Sequence, residues 1–218
     1  VFTVLPRAEL CALMLESDVV VLPSRGETVG GVVFEGMYAG ALTIVSDAVE
    51  AARRANGPSD NRHHIAHIQL VRPEDIPRFA QLDVIANCQT YWAKSDDQME
   101  ILTVPFLGQD RTMRQFPFES IRRTGARLSM GSDWSVTTAD PLTQLEVAIT
   151  RSDPDNRDLP AFIPEERLPM DASFDAFTAG TAYQNHDDEG GVIALGRRAD
   201  LAMIDIDVFE PGFVTADR

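Results

Sequence analysis

Gly125-Ala126-Arg127-Leu128-Ser129-Met130-Gly131-Ser132-Asp133-Trp134, carried on to Asp140-Pro141-Leu142, is the stretch on which the fold turns. A helix over 117–124 would end at Gly125, the residue type that tolerates a left-handed cap. Arg127–Ser132 reads as a strand. Asp140 is placed as an N-cap, with Pro141 at the first helical position and an apolar face through Leu142, Leu145 and Ile149. Helix, strand, loop and helix in this order form one repeat of a βα alternation, which argues for a parallel sheet.

The alternation continues outward. Asp47–Asn56 reads as a helix stopped by Gly57-Pro58, and His64–Val71 is strand-like. Pro73 opens a helix to about Gln81, and Val84–Gln89 is another strand. Beyond residue 187 the chain is poor in helical pattern. Gly191–Gly196 and Ala199–Asp205 read as two strands of a small β unit occupying 188–218. Residues 1–45 read differently: Val19–Leu22 and Ala41–Val45 are buried strands, separated by a glycine-rich loop and a helix over Val32–Ala39.

Thirty-four acidic against 19 basic side chains leave a net charge of −15 on the 218 residues. That charge repels nucleic acid and anionic membrane surfaces, and no apolar run approaches the ~18 residues of a membrane span. Val1-Phe2-Thr3-Val4-Leu5 lacks the features of a signal peptide, and without an initiator Met it reads as the middle of a longer protein. Cys11 and Cys88 lie in apolar surroundings without CxxC spacing. They read as buried thiols of a reducing cytosol, with a ligand or nucleophile as the alternative. A cytoplasmic location is therefore expected.

Two strand ends carry metal-capable side chains, His67 in His64-Ile65-Ala66-His67 and Asp133 in Met130-Gly131-Ser132-Asp133. Reactive groups of parallel α/β folds gather at the C-terminal ends of strands, and an imidazole with a carboxylate suits a divalent metal such as zinc. Spacing alone leaves the ordinary readings open: a surface histidine, and a Gly-Ser-Asp turn or N-cap.

The segments Asn61–Phe79 (NRHHIAHIQLVRPEDIPRF), Gly125–Leu142 (GARLSMGSDWSVTTADPL) and Phe177–Phe209 resemble, in order and spacing, the C-terminal part of the amidohydrolase superfamily. They are most similar to its branch of aryl- and formamide-type hydrolases called YtcJ-like. The resemblance implies a partial (β/α)₈ TIM barrel, strands five to eight, over 46–187, with β-sandwich strands over 188–218. It implies a zinc-type metal that activates water against carbon–nitrogen bonds of a small amide or formamide substrate. His67 would be a metal ligand, Asp133 both ligand and general base, and Gln89, Trp92 and Trp134 would line the substrate cavity or simply pack the barrel. The resemblance also implies ligands on strands one, four and five that this chain lacks, so an incomplete site with weak or absent zinc binding is expected.

Residues 18–47, with Pro23-Ser24, Glu27 and Glu35, resemble instead the C-terminal Rossmann-like domain of retaining GT-B glycosyltransferases. There Glu27 would lie near a donor sugar and Glu35 would bind a ribose. The junction at Val45-Ser46-Asp47 thus reads as a chimera, a recombination or a misassembled frame. A nucleotide-sugar-binding segment and a non-catalytic α/β scaffold stand as alternative functions. Few strands and open edges also predict an open parallel sheet, its Arg127–Ser132 edge bare or covered by tail strands, and self-association.

Overall fold

The computed structural model describes residues 45–205 together with 207. Helix α1 spans Val45–Asn56, so Val45 is helical rather than the last residue of a strand. The remainder of the N-terminal reading, including both of its strands, lies outside the described residues. Strand β1 (His64–Ala66), a 3-10 turn (Pro73–Asp75), α2 (Ile76–Gln81) and β2 (Ile85–Cys88) follow. After a 3-10 turn at Thr90–Trp92 come a π-helical turn (Gln98–Thr103), α3 (Val104–Leu107) and α4 (Gln109–Thr112). Helix α5 (Phe118–Arg123), β3 (Leu128–Met130), α6 (Pro141–Thr150), a 3-10 turn (Pro164–Glu166), α7 (Met170–Asp175), a π-helical turn (Ala176–Gly180) and α8 (Thr181–Gln184) complete the order.

The architecture is α/β. The three strands form a parallel sheet in the order β1-β2-β3, with Ala66 opposite Asn87 and Asn87 opposite Ser129. The pleat gives this sheet two different faces. Ile65, Ala86, Cys88, Leu128 and Met130 pack into the apolar core with Phe79, Phe118 and Ile121 of the covering helices. The opposite face carries Asn87, Gln89 and Ser129, all buried but polar. Burial drives the Cys88 thiol far above its ordinary pKa, so it is a packed, unreactive thiol.

Local signals place several boundaries. Gly125 adopts φ +87 and its N–H donates to the Arg122 carbonyl, closing α5. Asp140 caps α6, its Oδ1 accepting from the Leu142 amide at 2.9 Å and its Oδ2 from the Thr143 hydroxyl at 2.9 Å. The buried face of α6 differs from the expected one: Gln144, Leu145, Val147 and Ala148 point inward, while Leu142 is half exposed. The cause is Gln144, whose Oε1 accepts from the Tyr91 amide and whose carbonyl accepts from Thr90 Oγ1. That polar anchor holds the 90–92 turn and sets the helix rotation.

Three further expectations are corrected. The strand at His64–Val71 stops at Ala66, because His67 and Ile68 take φ of +67 and +49. No strand occurs in 190–205: Ile193, Leu195 and Met203 are almost fully exposed, and among the described residues these apolar runs have no partner strand. Finally, the β3 edge is neither bare nor covered by strands. The turn from Ala176 to Gln184 lies on it, and Thr181 Oγ1 accepts from the Met130 amide at 3.3 Å and donates to the Met130 carbonyl at 3.0 Å. One hydroxyl thus pairs with both the outward-facing amide and the carbonyl of Met130 on an edge strand.

Among the described residues four charged side chains are buried, Lys94, Glu119, Arg151 and Asp153, and two of them are cations. Burial opposes the charge of Lys94, but its hydrogen bond to Asp153 (2.8 Å), with Tyr91 and Asp96 nearby, outweighs that and raises its pKa. Arg151 is fully buried among Phe116, Phe118 and Phe162, donating to the Phe162 and Phe116 carbonyls at 2.8 and 3.2 Å. Desolvation lowers its pKa to about 10.

Candidate metal-binding pair at the strand ends

β1 and β3 run parallel, so their C-terminal ends lie on one side of the sheet, and each is followed by a residue with a left-handed backbone. His67 has φ +67 and Asp133 has φ +60. Non-glycine residues in this region cost roughly 1–2 kcal/mol each, and such costs concentrate where a side chain must be aimed. Here the two turns bring His67 Nε2 to 4.0 Å from Asp133 Oδ1. The imidazole is 46% exposed and the carboxylate 19%.

Each partner is held from behind. Trp92 Nε1–H donates to Asp133 Oδ2 at 3.3 Å, leaving Oδ1 towards the histidine. The His67 amide donates to Gln89 Oε1 at 2.5 Å. Gln89 Nε2 in turn donates to Asn87 Oδ1. Asn87 Nδ2 donates to Ser129 Oγ at 3.0 Å and to Gln184 Oε1 at 2.9 Å, and Ser129 Oγ also donates to Gln184 Oε1. A continuous set of hydrogen bonds therefore runs from the end of α8 across β3 and β2 to the turn that carries His67.

The pair fits two positions of a divalent-metal site. Two ligands bonded at about 2.1 Å to one tetrahedral ion stand about 3.4 Å apart, within a small side-chain rotation of the observed separation. Among the described residues no group of three or more His, Cys, Asp or Glu side chains converges. The further protein ligand that a catalytic zinc has as a rule is therefore not found there.

Of the residues expected to line a cavity, Trp92 contacts Asp133 and Trp134 stands beside it, 73% exposed. Gln89 is only 5% exposed, and its amide oxygen and nitrogen are engaged by His67 and Asn87. Glu27 and Glu35 lie outside the described residues. Asn87, Ser129, Gln184 and Thr181 were not picked out by sequence. Asn87 and Gln89, polar residues two apart in an otherwise apolar strand, were the available signal of a polar sheet face.

A sequence pattern described as "Amidohydrolase family" matches residues 34–211. The chain belongs to the amidohydrolase family. The match takes in 34–45 of the segment that resembles a glycosyltransferase. The chain is 30% identical over 170 residues to Protein LONG AFTER FAR-RED 3 of Arabidopsis thaliana, covering 75% of this chain and 28% of that protein. It is 27% identical over 170 residues to Putative amidohydrolase YtcJ of Bacillus subtilis (strain 168), covering 78% and 31%. N-substituted formamide deformylase of Arthrobacter pascens is 26% identical over 196 residues, covering 88% and 35%. The chain thus spans about a third of the length of the curated relatives it matches. A crystal structure of an uncharacterized metal-dependent hydrolase from Pyrococcus horikoshii OT3 matches with a TM-score of 0.61 at 19% identity, over 81% of this chain and 36% of that one. Another, from Pyrococcus furiosus, gives 0.59 at 22% identity with the same coverage. These two establish likeness of fold. Among the described residues no helix is long and apolar enough to cross a membrane.

Proposed function

We propose that this amidohydrolase-family chain contributes the His67–Asp133 side of a metal-dependent hydrolytic centre acting on carbon–nitrogen bonds of small amides or formamides. The observation that carries this is the 4.0 Å approach of the two side chains at the ends of parallel strands. Family membership and the formamide deformylase among the relatives support this reading of the reaction class. The strands would be part of a (β/α)₈ barrel and the ion would be zinc.

When bound, such an ion lowers the pKa of water towards about 7. His67 would hold one position through its imidazole. Asp133 would hold another and, as the only carboxylate of the pair, would accept the proton of the attacking water. Trp92 keeps Asp133 turned for both tasks by occupying Oδ2. Proton transfer back to the departing amine would follow from the same carboxylate. Trp134, exposed beside the pair, presents an apolar surface to substrate.

Calorimetric titration of zinc into the chain and into His67→Ala and Asp133→Asn tests the reading. Weak binding that falls at least tenfold in either variant is expected. No difference between the native chain and the variants refutes it.

A further inference from the structure

We propose that Gln89 is a positioning residue for the metal-binding pair: through its amide, braced by Asn87, it fixes the backbone turn that aims His67 at Asp133. The inference rests on the metal reading above and assigns Gln89 a role other than touching substrate.

Three observations carry it. His67 and Ile68 occupy the left-handed region in succession, and Ile68 is β-branched, for which that region is an outlier. Such a turn persists only where the surroundings over-determine it. The side-chain contact to the His67 backbone is the Gln89 Oε1 bond, at 2.5 Å. Gln89 cannot drift, since it is buried and its Nε2 is bound to Asn87 Oδ1, while Asn87 Nδ2 is bound to Ser129 and Gln184. The direction of the donors is also meaningful. Every amide in the set presents its oxygen towards the His67 end, so the last member offers an acceptor to a backbone N–H. A residue without an acceptor at position 89 leaves that N–H unsatisfied and releases the turn.

Outer partners that orient a metal-binding histidine are worth 10–100-fold in metal affinity, and the same scale applies to a group that orients its backbone. Gln89→Leu removes the acceptor. Gln89→Glu keeps it, and the amides of Asn87 and Gln184 can flip in concert to donate towards the new carboxylate. Asp140→Ala serves as a control, losing helix stability without touching the set of bonds.

The experiment measures cobalt(II) affinity of the folded chain by absorption, together with the His67 amide proton by NMR. In Gln89→Leu the amide proton should move upfield, away from its strongly hydrogen-bonded position, and affinity should fall tenfold or more. Gln89→Glu should keep both within about threefold, and Asp140→Ala should leave affinity unchanged. Affinity within threefold of native in Gln89→Leu, while His67→Ala binds at least tenfold more weakly, overturns the positioning role and spares the metal reading. Equal loss in Gln89→Glu and Gln89→Leu also overturns it. Unchanged affinity in His67→Ala overturns the metal reading and this inference together.

Discussion

Gly180 is the position at which the smallest change should cost the most. It ends the π-helical turn over β3 with φ −64 and ψ −46, ordinary helical values that any residue can adopt. By propensity alone, Gly180→Ala would therefore stabilise, by up to about 1 kcal/mol. The packing opposes it. A Cβ at this position would lie 2.1 Å from the Leu128 carbonyl oxygen, 3.2 Å from its carbon and 3.4 Å from the Asp175 oxygen. A comfortable C···O contact is about 3.3 Å, so helix and strand must separate by about 1.2 Å, backbone against backbone. Overpacking of this kind costs about 1–3 kcal/mol. The shift also stretches both Thr181 bonds to Met130, each worth about 1 kcal/mol. The sum, about 3–5 kcal/mol less the propensity gain, leaves a net loss of about 2–4 kcal/mol from a stability that in domains is about 5–15 kcal/mol. In urea unfolding followed by tryptophan fluorescence, with m about 2 kcal/mol/M, the middle of the usual range, the midpoint should fall by about 1–2 M. A midpoint equal to or above that of the native chain would show that propensity outweighs the contact and would refute the close approach of this turn to β3.

Three other changes and one measurement on the native chain have definite expected outcomes. Asp140→Ala removes the α6 N-cap and should cost about 1 kcal/mol in denaturant unfolding. Asp153→Ala leaves Lys94 buried without its nearest carboxylate and should cost about 3–5 kcal/mol at most, moderated by Asp96 at 3.5 Å; adding Lys94→Met should restore much of the loss, read by the same melts. The Arg122 hydrogen bond, helped by Arg123 and opposed by burial, holds Glu119 below its usual pKa of 4.5. Its stabilisation is therefore complete above that value and lost as pH falls through the depressed one, so acid unfolding of Glu119→Gln should show a shallower dependence in that range. Ile101, Leu102, Phe106 and Met113 are each more than half exposed on neighbouring short helices, and light scattering should give an apparent mass above 24.0 kDa.

What the sequence made legible is what local chemistry dictates. Gly125, Asp140 and Pro141 marked helix ends because a φ above zero, an accepting carboxylate and a missing N–H are properties of single residues. The three strands after Asn56 were readable as short apolar runs between such signals, and so was their parallel order. The misreadings share another cause. His64–Val71 contains no glycine or proline, so nothing local announces that His67 and Ile68 leave the strand; tertiary contacts through Gln89 and the buried Ile68 impose it. The apolar count along α6 favoured Leu142, whereas a polar residue, Gln144, settles the helix by docking the 90–92 turn. The tail runs Gly191–Gly196 and Ala199–Asp205 are apolar enough for strands, but an apolar run becomes a strand only where a partner pairs with it.

The sheet separates two demands that are mixed along the sequence. Even-numbered positions of β2 and β3 (Ala86, Cys88, Leu128, Met130) face the helices and supply apolar burial. Asn87 and Ser129, with Gln89 just past the end of β2, face the other way, alongside the apolar Ile85 of the same alternation. Burying three polar side chains on one face is costly unless each is satisfied, and here each is, by its neighbour in the direction of His67. That arrangement explains why the polar residues are arranged as a connected set rather than scattered. Loss of one member leaves the next without its partner, so substitutions along Gln184, Asn87 and Gln89 should be strongly non-additive. Substitutions on the helix-facing side should instead add as separate packing defects. The polar face whose hydrogen bonds reach the His67 turn is thus the face on which single changes propagate.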